Sequence, residues 1–279
     1  KQCSIFRQSS VRQHSELCWL LTAITPLGWL QRMTQYKSKS AKHRDRSSLG
    51  LLAYPVLQAA DILLYQATHV PVGEDQQQHL ELCRDIAISF NAQFPAVPSS
   101  AAAPAEATSG RAGTPVFTLP ETLLTSSEGG HRVMSLRDAG SKMSKSDPAE
   151  GGRILLTDTP DEILKKVRRA KTDSLEGLVY DPETRPERSN LLRIFAAVLN
   201  DGATPHSIAA QFRNANSLEF KNALADAIIA RVEPIRQEIV RLEGDPAHLE
   251  GVLKAGGEVA AEAAENTMVR VRTAMGMAN

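Results

Sequence analysis

Residues 69–90 read HVPVGEDQQQHLELCRDIAISF. His69-Val70-Pro71-Val72 is a short apolar run that predicts an extended segment, and Gly73 marks a turn. Over residues 75–90, Leu80, Cys83, Ile86, Ala87 and Phe90 recur at spacings of three and four, which places them on one face of a helix. Strand, glycine, acidic turn and helix together form the unit from which open α/β sheets are built, and such sheets collect ligands just beyond their strand ends. The helix start offers unpaired N–H groups, and the carboxylates of Glu74 and Asp75 suit ribose hydroxyls or a substrate ammonium. The plainer reading is ordinary acidic charge at a helix N-terminus.

Upstream, residues 55–65 carry Leu57, Ala60, Asp61, Leu64 and Tyr65 at helical spacing, so one carboxylate lies within an apolar face. A carboxylate on an apolar helix face needs a hydrogen-bond donor. The plainer source is a structural partner, an arginine or a helix end. Residues 15–24 predict an amphipathic helix through Leu17, Leu20, Leu21 and Ile24, ending before Pro26 and Gly28. A basic stretch follows over residues 31–48, with Arg32, Lys37, Lys39, Lys42, Arg44 and Arg46 against Asp45 alone.

Downstream, residues 96–115 (AVPSSAAAPAEATSGRAGTP) hold little to bury and predict a disordered surface insertion. From residue 157 the pattern is helical. Thr159 and Glu162 fit a capping box with Pro160 in the first turn. Further helices are expected over 190–199, 218–232, 234–242 and 257–275, Pro234 starting a new helix or kinking one. The chain therefore reads as α/β first and all-α second, divided at 1–156 and 157–279.

Its 279 residues are enough for one large domain or two modest ones. Lys plus Arg and Asp plus Glu are equal at 32 each, so any nucleic-acid contact rests on local basic clusters. One is the run Lys165, Lys166, Arg168, Arg169 and Lys171. The plainer reading of such a run is a solvated face. Cys3, Cys18 and Cys83 lack metal-binding spacing, and the seven histidines show none either; the cysteines read as reduced intracellular thiols. No run of 18 or more apolar residues occurs.

The sharpest signal is Lys142-Met143-Ser144-Lys145-Ser146, preceded by Gly140-Ser141 and followed by Asp147-Pro148. Two ammonium groups three residues apart on a turn can close over a polyphosphate, and lysine can follow the charge that develops on departing pyrophosphate. This string is the KMSKS signature of class I aminoacyl-tRNA synthetases. Together with YPVLQAADILLY (54–65) and VPVGEDQ (70–76), the chain resembles the tryptophanyl-tRNA synthetases of the bacterial and mitochondrial branch. Gln58 and His69-Val70-Pro71 are similar to the mitochondrial form, which implies the mitochondrial matrix, or the cytoplasm if the source is bacterial.

The resemblance implies an incomplete Rossmann-type parallel sheet domain followed by an all-α domain that recognises the tRNA anticodon, and a homodimer. It implies adenylation of L-tryptophan by ATP, with Mg2+ carried by the nucleotide, and transfer to tRNA(Trp), with no membrane or DNA partner. Asp61 would read the indole, with Tyr54, Gln58, Val70 and Val72 around it and Gln76 on the amino acid. Gly73, Glu74, Asp75 and Val133 would meet ATP with the segment Lys142, Met143, Ser144, Lys145 and Ser146. Lys39 would reach the phosphates. The family's HIGH-type motif has no counterpart in these residues, from which weak or absent turnover is expected. Two other readings stand beside this one: a noncatalytic RNA-binding or dimerising module, and a tyrosyl-tRNA synthetase.

Overall fold

The computed structural model describes residues 3–37, 48–95, 115–124, 133–145 and 150–277. In chain order its elements are α1 (Gln13–Ile24), α2 (Leu27–Arg32), α3 (Leu49–Leu63), β1 (His69–Val72), α4 (Gln77–Gln93), β2 (Glu121–Leu124), α5 (Pro160–Arg168), α6 (Pro186–Leu199), α7 (Pro205–Gln211), α8 (Ser217–Glu243) and α9 (Pro246–Ala274). They form two compact units, one of Lys1–Thr125 with Ala247–Asn279, the other of Ser126–Pro246.

In the first unit β1 and β2 pair in parallel, with Val70 opposite Thr122 and Val72 opposite Leu124. Parallel strands cannot be joined by a tight turn, and α4 lies between them in sequence as the crossover. The face foreseen for α4 is buried through Leu80, Cys83, Ile86, Ala87 and Phe90. Side chains fasten the approach to β2: Asn91 donates to Phe117 O and accepts from Phe117 N, both at 2.9 Å, and Arg84 donates to Pro120 O. A helix α3 begins at Leu49, six residues before the expected start, because the Ser48 hydroxyl caps it by accepting from Leu51 N. Pro55 sits inside it; the lost hydrogen bond is outweighed by burial of Val56, Ala59, Ala60 and Leu63.

The second unit packs α5 to α8 around Ile163, Val167, Leu191, Leu192, Phe220, Leu224 and Ile228. Helix α5 starts with the expected capping box of Thr159 and Glu162. Helix α8 runs through Pro234 without ending. The sequence reading missed α2, which contains Gly28, and α7, which Thr204 and Ser207 cap reciprocally.

The structural units differ from the expected division at residue 156. Residues 133–145 and 150–156 fall in the second unit because Leu136 is buried in that core, its N–H bonded to Gly152 O and its carbonyl to Lys171 N. The last helix falls in the first unit, where Ala260, Ala264, Met268 and Val271 are buried. It also starts eleven residues before the expected position, at Pro246, and carries Gly256 and Gly257 within it. A Cβ on Gly256 would collide with the Ile5 carbonyl, so glycine lets α9 rest directly on the backbone at Ile5. The insertion expected over 96–115 lies almost wholly outside the described residues.

Candidate active site

Helix α3 places Tyr54, Gln58 and Asp61 on one stripe, at spacings of four and three, and all three are half-buried. Asp61 is the best-connected of them. Gln8 Nε2 donates to both carboxylate oxygens, at 2.8 and 2.9 Å, and His14 Nδ1 lies 2.6 Å from Oδ1. A carboxylate can only accept, so Nδ1 carries the proton facing it. On the other side of the ring, His14 Nε2 is 2.8 Å from the Tyr65 hydroxyl, which donates to it when the imidazole is neutral. Burial, helped by the charge of Asp61, pushes the Tyr65 phenol up to about 12.

Phe6 stacks at the edge of this group, 5.7 Å from Tyr65 and 6.1 Å from His14 between ring centroids. The Asp61 side chain remains 36% exposed while that of His14 is 5% exposed. Three of roughly four acceptor positions on the carboxylate are thus taken by Gln8 and His14, and the fourth is open to a further donor. Asp61 therefore has structural partners, but glutamine and histidine rather than the arginine or helix end considered from sequence.

A second network joins α3 to the turn after β1. The Tyr54 hydroxyl donates to Gln35 Oε1 at 2.8 Å and lies 3.0 Å from His79 Nε2; His79 Nδ1 lies 2.8 Å from Gln76 Oε1. Gln76 Nε2 in turn donates to the Asp75 carboxylate, and Gln35 Nε2 to the Asp75 carbonyl. Burial and the Asp75 charge raise the Tyr54 phenol above its usual range. Gly73 has an ordinary φ of −75°; glycine is suited here because a Cβ would come 2.9 Å from Asp75 Oδ1. Gly73, Glu74 and Asp75 are exposed, and the latter two belong to a single 3-10 turn, Glu74–Gln76, ahead of α4. Val70 and Val72 share the half-buried face of β1 against the core.

In the second unit, Val133 and the lysine string come together through a hairpin. Met134 and Lys142 form an antiparallel bridge, Met143 N donates to Val133 O at 2.9 Å, and Ser135 N to Ser141 O at 2.9 Å. Asp138 closes the turn by accepting from Gly140 N, and the Asn190 side chain grips both backbone groups of Met134. Lys142 and Lys145 are exposed; with Val133, Met143 and Ser144 they line a cleft of about 340 Å³, completed by Arg153, Ile154 and Leu155. Sequence reasoning missed those last three, and it missed Gln8, His14 and His79. Lys39 and Ser146 lie outside the described residues. Arg168, a member of the basic run, donates to Asn222 and so ties α5 to α8.

A family model described as tRNA synthetases class I (W and Y) matches residues 1–233. The chain belongs to this family. A class I relative from Thermosynechococcus vestitus, a tryptophan–tRNA ligase, is 47% identical over 273 residues, covering 98% of this chain and 77% of its own. The crystal structure of tryptophanyl-tRNA synthetase from Mycoplasma pneumoniae superposes with a TM-score of 0.74 at 32% identity, over 99% of this chain and 77% of that one. That from Campylobacter jejuni, solved with ADP and tryptophan, gives 0.73 at 29% identity, over 98% and 76%. The α/β class I fold with a parallel sheet is thus established for this chain, and it is an aminoacyl-tRNA synthetase. These relatives are bacterial, so they lend no support to the mitochondrial placement expected from Gln58 and residues 69–71.

Proposed function

We propose that the chain is a tryptophan–tRNA ligase that activates L-tryptophan with ATP and passes it to tRNA(Trp). The observation that carries this reading is the hairpin bond between Met143 N and Val133 O, which sets Lys142 and Lys145 at one cleft. In the first step a tryptophan carboxylate oxygen bonds to the α-phosphorus while the bond to the β-phosphate oxygen breaks. Lys142 and Lys145 meet the negative charge that moves onto pyrophosphate. In the second step a ribose hydroxyl of the tRNA attacks the adenylate carbonyl and AMP leaves. Neither step needs a protein nucleophile. Mg2+ enters with ATP, held by its phosphate oxygens.

On this reading Asp61 takes the indole N–H at its open acceptor position, with Tyr54, Gln58, Val70 and Val72 around the ring. Gln76 meets the amino acid, Gly73, Glu74, Asp75 and Val133 the nucleoside, and Lys39 the phosphates. The α5–α8 unit supplies the anticodon contacts. Self-association is supported by the exposure of Trp19 (74%) on α1 and Leu27 (56%) at the start of α2.

Pyrophosphate exchange tests the reading. Tryptophan should support exchange and tyrosine should not, and Lys142→Ala should lower it by about a hundredfold, the scale of one lost transition-state contact. Equal exchange with tyrosine would favour the tyrosyl alternative. Binding of tRNA without binding of ATP would favour a noncatalytic module.

A further inference from the structure

Two backbone hydrogen bonds gather cations on the second unit, away from the lysine hairpin's cleft. Leu136 N donates to Gly152 O and Lys171 N donates to Leu136 O, at 2.9 and 2.8 Å. Arg137, next to Leu136, is thereby drawn beside Gly151 and Lys171, and Arg169 at the end of α5 completes the ring. These four residues line a cleft of about 690 Å³. It shares no residue with the cleft of Lys142 and Lys145. The Arg137 guanidinium lies close against Gly151, where a Cβ would come 3.1 Å from its Nη2.

The charges around this opening are unbalanced. Among the described residues neither Arg137 nor Arg169 forms an ion pair. Two nearby acids are engaged elsewhere, Glu162 in the α5 capping box and Asp138 on Gly140 N. Glu187 pairs with the cleft's own Lys171 at 2.8 Å, which leaves the two arginines as the unpaired cations there. Among the described residues Glu150 faces the adjoining hollow without such a role; the hollow adds Lys165, while Lys166, which also lines it, is paired with Asp158. A pair of guanidinium forks matches phosphate oxygens bidentately. Among the described residues the lining holds no hydrocarbon side chain, so the cleft suits a charged backbone better than an acyl chain.

We infer that Arg137 and Arg169, with Lys171, form a phosphodiester-binding cleft that holds the backbone of the tRNA. This rests on the proposed function, which makes tRNA the polymeric substrate. The cleft is open to solvent along its length, so it admits successive phosphates of a strand. Contacts of this kind position the RNA without reading its sequence.

The test is the salt dependence of binding of a tRNA(Trp) transcript to the full chain, followed by fluorescence anisotropy across a potassium chloride series. Each phosphate contact contributes about 0.7–0.9 to the slope of log K against log salt. Arg137→Gln and Arg169→Gln should each reduce the slope by about that amount, and the double variant by about twice it with roughly tenfold weaker binding at moderate salt. Lys at both positions should keep the slope while losing part of the affinity, which separates charge loss from misfolding. Lys254→Gln, at an exposed lysine on α9 in the first unit, should leave both unchanged.

A double variant with wild-type slope and affinity would overturn the inference. So would an equal loss in Lys254→Gln, or wild-type binding to anionic phosphatidylserine vesicles as strong as to tRNA. Failure of the wild-type chain to bind tRNA would bring down the proposed function with it, whereas variant-insensitive tRNA binding would sink this cleft alone.

Discussion

Replacing His14 by alanine tests whether Asp61 is held by a relay or merely neighbours polar groups. The substitution removes a 2.6 Å contact to a carboxylate and a 2.8 Å contact to a neutral phenol. A hydrogen bond to a charged group is worth about 1.5–3 kcal/mol and a neutral one about 0.5–1.5 kcal/mol. The ring is almost fully buried, so water cannot readily replace it. The expected loss is about 2–4 kcal/mol, a fall in Tm of the order of 5–10 °C for a chain of this size. Tyr65→Phe removes only the hydroxyl and should cost about 1 kcal/mol.

The double variant then decides the matter, because residues that share a hydrogen bond show coupling of about 0.5–1.5 kcal/mol in a thermodynamic cycle. Coupling indistinguishable from zero would refute the His14–Tyr65 link. The Tyr65 titration gives an independent reading. Its phenol is raised from the ordinary value near 10 to about 12, so it stays protonated longer in the folded protein. The stability this supplies is complete below pH 10 and is lost as pH climbs toward 12. Absorbance near 295 nm should therefore lose its latest-titrating tyrosine in Tyr65→Phe.

Asp173 accepts a two-pronged bond from Arg185, at 2.7 and 3.1 Å, within the second unit, and Arg185 with its other donors holds the Gly177 and Leu175 carbonyls. Asp173→Asn should destabilise that unit by about 3 kcal/mol, since it strands a buried guanidinium, and urea unfolding reads the loss. The Arg185 bond holds the Asp173 carboxyl below its usual range, so its contribution is present above about pH 4 and fades as pH falls through the lowered value. Gly256→Ala should cost at least about 1–3 kcal/mol by pushing α9 off the Ile5 backbone. A melting curve matching wild type would show that the close approach is not needed.

Local chemistry made much of this chain legible from sequence. The capping box of Thr159 and Glu162 is a contact over three residues, and it formed as read. The strand–glycine–helix unit at residues 69–90 and the α3 stripe through Asp61 are likewise periodic patterns with one solution each. Interior glycine and proline misled the reading where a tertiary neighbour overrode local preference: Gly256 sits inside α9 because Ile5 lies against it, and Pro55 inside α3 because its flanks are buried.

The partners of Asp61 had no signature to find. His14 and Gln8 stand 47 and 53 residues away, and a single histidine or glutamine carries no periodicity. Arg153 joins the Lys142 cleft by the same kind of tertiary accident. Sequence by itself determined which short segments become helix, strand and lysine-bearing turn, because those choices depend on neighbours within about a helical turn. Only the tertiary structure decided that α9 returns to the first unit and that a histidine and a glutamine share the carboxylate. Those outcomes depend on which distant apolar faces bury one another.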